Sequence, residues 1–151
     1  MKKLIMALFL FIATMSLHAQ EIRWLTLDEA LAKQKKNAKP IFMDVYTDWC
    51  GPCKYLDATT FHDAAIVEFV NNNYYAVKFN AEGNSTITYK GVKYANPSFD
   101  PNRKGRNSAH DFTKFLKVTG YPSMYIFDRK GDIKEPIVGY LSPEQLLILI
   151  K

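Results

Sequence analysis

Ile41-Phe42-Met43-Asp44-Val45-Tyr46-Thr47-Asp48-Trp49-Cys50-Gly51-Pro52-Cys53-Lys54 is the stretch whose reading decides the fold. Ile41 to Tyr46 is a short, nearly continuous apolar run, the pattern of a central strand covered on both faces. Asp44 interrupts it. Thr47 to Pro52 reads as a turn, and a helix is expected from about Cys53, with Pro52 suited to its first turn. Two cysteines three apart, with Gly51 and Pro52 between them, close a small ring only where the backbone turns into a helix. Cys50 then lies at the positive end of a helix dipole, facing unpaired backbone amides. That placement favours thiolate over thiol. Cys53 lies a turn further in and is expected to be the more buried. The pattern predicts Cys50 as the nucleophile that forms a mixed disulfide. Cys53 is the resolving thiol that attacks it and releases the substrate.

A buried Cys53 needs a base, because a buried thiol resists ionisation. Asp44 is the candidate, six residues before Cys50 on the strand. Desolvation there raises a carboxylate pKa into the range for proton transfer. Lys78, in the middle of a second apolar run from Tyr74 to Phe79, is placed to tune it. Without the cysteines, Asp44 and Lys78 read as no more than a semi-buried polar pair. Pro122 follows Tyr121 at the start of a further strand, where proline is disfavoured unless the position is special. A cis bond there would present a carbonyl and an amide to an extended peptide substrate. From the residues alone a trans bond is expected, since cis is uncommon even before proline.

Working outward, Thr26-Leu27-Asp28-Glu29 is a capping box that opens a helix running to about Asn37 and stopped by Lys39-Pro40. Asp63 caps a helix with Ile66, Val67 and Val70 on its apolar face. Residues 80–107 are rich in Asn, Gly, Pro and Ser. They predict a small hairpin around Lys90-Gly91 and then a loop ending in Arg103-Lys104-Gly105-Arg106. A helix is expected from Ser108, with Phe112, Phe115 and Leu116 on one face. Ser123 to Phe127 and Ile133 to Tyr140 read as an antiparallel hairpin, and Ser142-Pro143-Glu144-Gln145 caps a last short helix. The order predicts an α/β fold: a mixed sheet with helices on both faces.

The whole chain bounds these readings. Its 151 residues are 48% hydrophobic, 14% aromatic and 23% charged, which excludes disorder and suits one domain with a sizeable core. Two cysteines exclude a multi-disulfide scaffold and a four-cysteine zinc site. Met1-Lys2-Lys3, the apolar run from Leu4 to Met15 and Leu17-His18-Ala19 have the layout of a secretory signal peptide, residues 1–19. The apolar run is shorter than a spanning helix needs. Residues 20–151 are then the domain, periplasmic or secreted and without stable membrane insertion. The net charge of +5 loses Lys2 and Lys3 with the leader, a balance too mild to argue for nucleic acid.

Trp49-Cys50-Gly51-Pro52-Cys53-Lys54 is identical to the active-site motif of the thioredoxin superfamily, and the residues around it match in order. The resemblance covers residues 40–80 and 112–150. It implies a thioredoxin-like three-layer fold with Asp44 as the buried acid and Lys78 as its lysine neighbour. It implies Tyr121 and cis Pro122 as part of a substrate site with Trp49, Gly51 and Pro52, and Val138-Gly139 as a glycine strand nearby. Asp48-Trp49-Cys50, Thr60-Phe61 and the Asp63 helix start resemble the C-terminal periplasmic domain of the DsbD proteins. That likeness implies protein disulfides as substrates and a membrane electron donor of the DsbD type. Tyr46 departs from the usual tryptophan, the last helix is short, and the insert of about 83–107 lengthens the connection before the proline.

The reading that results is an exported protein-disulfide reductase with a redox-active Cys50–Cys53 disulfide, no cofactor and no metal. Gly-Pro between the cysteines resembles the reducing members. An oxidase or isomerase differs only in reduction potential and electron donor, which residues do not encode. A metal-handling module would need His62 to reach the two cysteines, and a lone CxxC is weak evidence for it. A passive staple is disfavoured because so small a ring restrains little chain entropy. Arg103, Lys104 and Arg106 read either as a solvated loop or as a contact for an acidic partner. Tyr89, Tyr94 and Phe99 read as packing onto the domain.

Overall fold

The computed structural model describes residues 21–151, so the leader read from residues 1–19 lies outside the described residues. The elements run β1 (Trp24–Leu25), α1 (Leu27–Lys36), β2 (Ile41–Tyr46), α2 (Gly51–Ala58), a 3-10 turn (Thr60–His62), α3 (Ala64–Asn73) and β3 (Tyr75–Asn80). Then come β4 (Ile87–Tyr89), β5 (Val92–Tyr94), α4 (Asp111–Phe115), β6 (Ser123–Phe127), β7 (Ile137–Val138) and α5 (Pro143–Ile150). The main sheet has the order β1-β3-β2-β6-β7. β1, β3 and β2 are parallel, and β6 and β7 are antiparallel additions. β4 and β5 form a separate hairpin. This is the expected mixed sheet flanked by helices.

The two faces of β2 and β3 divide by the period of two that governs strand side chains. Ile41, Met43, Val45, Val77 and Phe79 join a core with α1, the hairpin and α4. Phe42 and Ala76 join a second core with Leu56, Ile66, Val70 and Leu146 of α2, α3 and α5. Asp44 and Lys78 follow Phe42 and Ala76 at the same spacing, so both belong to the face that α2 covers.

Helix starts match the cap chemistry. Thr26 with Glu29 and Ser142 with Gln145 form capping boxes, and the Asp63 carboxylate accepts from the Ala65 and Ile66 amides. Four expectations are corrected. β1 has no counterpart in the sequence reading: two residues carry no period. α2 starts at Gly51 rather than Cys53, because Cys50 itself is the N-cap. α4 starts at Asp111 with His110 as its cap, since the Ser108 hydroxyl is spent on Asn96. The strand expected over Ile133 to Tyr140 shrinks to a bridge at Ile133 and to Ile137–Val138. Pro136 lies between these two pieces and has no N–H to give a ladder.

Candidate active site

β2 delivers the chain at its C-terminal end to the turn Thr47–Trp49, where the Cys50 N–H closes on the Thr47 carbonyl at 3.2 Å. Cys50 and Cys53 form a disulfide across the first turn of α2, with Cα atoms 5.3 Å apart. Cys50 Sγ accepts the Cys53 backbone N–H at 3.1 Å. The sulfur therefore occupies the place of a capping oxygen, at the end of the helix where amides are unpaired. Gly51 and Pro52 are exposed beside it, and a Cβ at Gly51 would meet nothing within 4 Å. The expected contrast in burial is not found: Cys50 is 2% exposed and Cys53 6%. In the closed disulfide Cys50 Sγ sits against the helix end, while Cys53 borders a cavity.

That cavity, of about 410 Å³, is also lined by Lys78, Asp57, Tyr46, Trp24 and His62. Asp44 and Lys78 are register partners on neighbouring strands. Lys78 Nζ lies 3.3 Å from Asp44 Oδ2 and 2.6 Å from Asp57 Oδ1. Its ammonium stands 5.0 Å from the Trp24 ring, 5.1 Å from Tyr46 and 5.6 Å from Phe61. Three ring faces of this kind stabilise a cation held away from bulk water. Asp44 is almost fully buried, and its Oδ1 has no hydrogen-bond partner among the described residues. Burial pushes its pKa up from 3.8 to about 6, against the opposing pull of the Lys78 ammonium. Thr47 Oγ1 is the other buried side-chain polar atom without a partner among the described residues.

On the outer side, Trp49 is 36% exposed and meets the Tyr121 ring edge to face at 5.8 Å. The Tyr121–Pro122 bond is cis, contrary to the expectation from the residues alone. The Pro122 carbonyl accepts the Gly139 N–H at 2.8 Å, so that carbonyl is engaged within the chain. Gly139 has φ +101, a conformation that side chains disfavour, which is why glycine stands here. Trp49 Nε1 donates to Glu82 at 2.9 Å, and the same carboxylate oxygen accepts the Asn107 backbone N–H at 2.7 Å. The Arg106 guanidinium lies 4.1 Å over the Trp49 ring.

The structure thus places Cys53 and Lys78 on one cavity, with Asp44 paired to Lys78, and brings Trp49 against Tyr121, the residue before Pro122. Three participants escaped the sequence reading. Asp57 had a usable signal, because it lies four residues after Cys53 and so on the same helix face. Glu82 and Trp24 had none, since both depend on long-range placement. His62 falls in the turn before α3 and puts Nδ1 2.6 Å from the Asp57 carbonyl. Among the described residues, no group of three or more His, Cys, Asp or Glu is placed to hold a metal ion. No helix among them is long and apolar enough to cross a membrane.

A family model described as a thioredoxin-like domain matches residues 27–151. The chain is 29% identical over 133 residues to the thiol:disulfide interchange protein DsbD of Campylobacter jejuni, covering 87% of this chain and 19% of that protein. It is 27% identical over 123 residues to the DsbD of Pectobacterium atrosepticum, covering 79% and 17%. The chain therefore spans about a fifth of the length of these curated relatives. Among solved structures, a thioredoxin from Thermus thermophilus superposes with TM-score 0.61 at 12% identity, covering 85% of this chain and 84% of that one. The oxidised C-terminal domain of Neisseria meningitidis DsbD does so with TM-score 0.52 at 19% identity, covering 83% and 95%. At such identities the structural likeness speaks for the fold.

Proposed function

The chain belongs to the thioredoxin-like domain family, and on that premise we propose that it is an exported thiol–disulfide oxidoreductase that reduces protein disulfides. The observation that carries the reading is the Cys50–Cys53 disulfide capping α2, with the Cys53 amide donated to Cys50 Sγ. In the reduced protein the same amide and helix end stabilise a Cys50 thiolate. That thiolate attacks one sulfur of a substrate disulfide, and the other substrate sulfur leaves as a thiolate. Cys53 then loses its proton to Asp44, whose pKa near 6 makes it a base at neutral pH. The Cys53 thiolate attacks Cys50 Sγ, re-forms the internal disulfide and releases the second substrate thiolate. Two electrons pass from the protein to the substrate.

Lys78, shared between Asp44 and Asp57, offsets the charge that Asp44 carries before it takes the proton. Trp49, Gly51, Pro52, Tyr121 and Pro122 are the surface against which the substrate chain lies. Residues 1–19 direct export, and a membrane dithiol donor of the DsbD type restores the reduced state. The direction of exchange rests on the Gly-Pro pair between the cysteines.

Two measurements test this. Cys53→Ser should accumulate a Cys50-linked mixed disulfide with a protein substrate, seen by mass spectrometry, while turnover falls to background. The absence of any adduct overturns the exchange mechanism. Equilibration with glutathione and dithiothreitol buffers should place the potential near that of thioredoxin, about −270 mV. A value near about −120 mV, as in a strong disulfide oxidant, overturns the reducing direction.

A further inference from the structure

The insert reaches Trp49 by two routes that the exchange mechanism leaves unused, Asn107 through Glu82 and Arg106 directly. Glu82 holds Trp49 Nε1 and the Asn107 amide with one carboxylate oxygen, which fixes the neighbour of Arg106 against the active-site tryptophan. The loop behind it is closed by Asn107, whose side chain accepts the Asp100 N–H at 3.1 Å and donates to the Asp100 carbonyl at 2.7 Å. Arg106 is thereby held over the Trp49 ring while it stays exposed to solvent. A guanidinium attracted to an aromatic ring keeps N–H donors for a carboxylate.

Charge around it favours that use. Arg103, Lys104, Arg106 and Lys54 form no ion pair among the described residues. The nearby acids are engaged by neutral donors: Glu82 as above, Asp48 by the Asn80 side-chain amide, and Asp100 by the Asn102 N–H. Those acids temper the local field, but Arg106 is the charged group placed over Trp49, one residue from Cys50.

We propose that Arg106 is a specificity-determining contact that favours protein substrates with carboxylates close in sequence to the disulfide Cys50 attacks. The inference rests on the oxidoreductase reading. A substrate cysteine joined to Cys50 would carry its neighbours across Trp49 and Tyr121. An extended chain advances about 3.3 Å per residue, so a carboxylate two to four residues from that cysteine comes within reach of Arg106.

The test uses the reduced protein and three disulfide-bridged peptides that differ only in the residues flanking the cysteines: Asp, Asn or Lys. Second-order exchange rates are read by quenched alkylation. The Asp peptide should react roughly three- to tenfold faster than the Lys peptide at low ionic strength. The ratio should approach one at about 1 M salt, where the screening length is about 3 Å. Arg106→Gln should bring the low-salt ratio to within about twofold, and Arg106→Lys should restore part of it. Equal rates for the three peptides, a faster Lys peptide, or an unchanged ratio in Arg106→Gln overturns the inference and leaves the oxidoreductase reading standing. Exchange with none of the peptides overturns that reading and the inference with it. The salt dependence of the unmodified protein needs no variant to fold.

Discussion

Trp49 sits between two regions held by different forces. On one side, the β2–α2 junction is built from backbone: parallel ladders, a helix start, and two charged side chains brought together by strand register. On the other, the 83–107 insert has a single hairpin of two three-residue strands, and apart from the Asp111 N–H donated to the Ala95 carbonyl the bonds described next, made by side chains, hold the rest of it to the domain. Asn96 donates to the carbonyls of Gly83 and Ser108 at 3.0 and 2.8 Å and accepts the Ser108 hydroxyl at 2.7 Å. His110, fully buried, accepts the Phe112 N–H at Nδ1 and donates from Nε2 to the Ser85 carbonyl, which fixes the neutral Nε2–H tautomer. Tyr89 and Tyr94 pack on Phe112 with ring centroids 5.8 and 5.1 Å apart. The first region holds a strained charge in its interior. The second satisfies its polar groups and presents a surface.

The sharpest way to test that contrast is Asp44→Asn. As the base for Cys53, Asp44 should be worth about a hundredfold in the resolving step at neutral pH. The unmodified protein should show resolution rising through pH 6, and the variant should lose that inflection. Stability should move the other way. Between the unfolded value of 3.8 and the folded value of about 6, the native state keeps a proton that the unfolded chain releases. Stability therefore falls as pH rises through that window and stays low above it. Asn carries no charge to desolvate, and Lys78 retains Asp57. Asp44→Asn should stabilise the oxidised protein at pH 7.5 by on the order of 3 kcal/mol, a gain that fades as pH falls from 6 towards 4. Urea unfolding across that range checks it. An unchanged or lowered stability at pH 7.5 would remove the strained charge from the comparison.

The same division explains what the sequence disclosed. The strand, turn and helix of Ile41 to Ala58 write themselves in apolar runs and cap residues, because backbone hydrogen bonding obeys short periods. Asp44 and Lys78 were legible as neighbours for the same reason: each breaks an apolar strand, and parallel register aligns them. Asp57 was legible in principle from helix spacing. Glu82 and Trp24 were not, since nothing local in the sequence records which distant N–H or ammonium a side chain will meet. Nor did the sequence show that His110 would cap α4 while closing the insert. The relative burial of the two cysteines was misjudged because helix position alone does not register the closed disulfide or the cavity beside Cys53.

Asn96→Ala probes the side-chain-held region directly. It removes an amide that serves at least two part-buried carbonyls and leaves the Ser108 hydroxyl without its acceptor. A loss of about 2–3 kcal/mol is expected, the cost of stranding buried polar groups. Amide exchange should quicken at Asn107 and Asp111, whose N–H groups bond within this network. The amides of Met43 and Val45 in the central ladder should keep the protection that global stability allows. If β2 and the insert lost protection together, the two regions would be one cooperative unit and the contrast would fail.

The smallest effects concern how the hairpin tip is pinned to the β6–β7 turn. Two contacts do it: the Tyr89 hydroxyl donates to the Gly131 carbonyl at 2.9 Å in a buried setting, and Lys90 pairs with Asp132 at the exposed surface. Tyr89→Phe leaves the ring packing and strands one carbonyl, so about 1 kcal/mol should be lost. Lys90→Asn deletes an ion pair in which both side chains are more than half exposed. Such pairs contribute between about 0 and 1 kcal/mol. Lys90 also has φ 49, a left-handed conformation that Asn tolerates better than Lys, and it precedes Gly91 in a two-residue hairpin turn that Asn-Gly favours. The two terms oppose each other, so Lys90→Asn should change stability by less than about 0.5 kcal/mol. Urea midpoints of the two variants, measured side by side, decide the matter. A Lys90→Asn loss larger than that of Tyr89→Phe would mean that charge, rather than a buried hydroxyl, holds the insert to the domain.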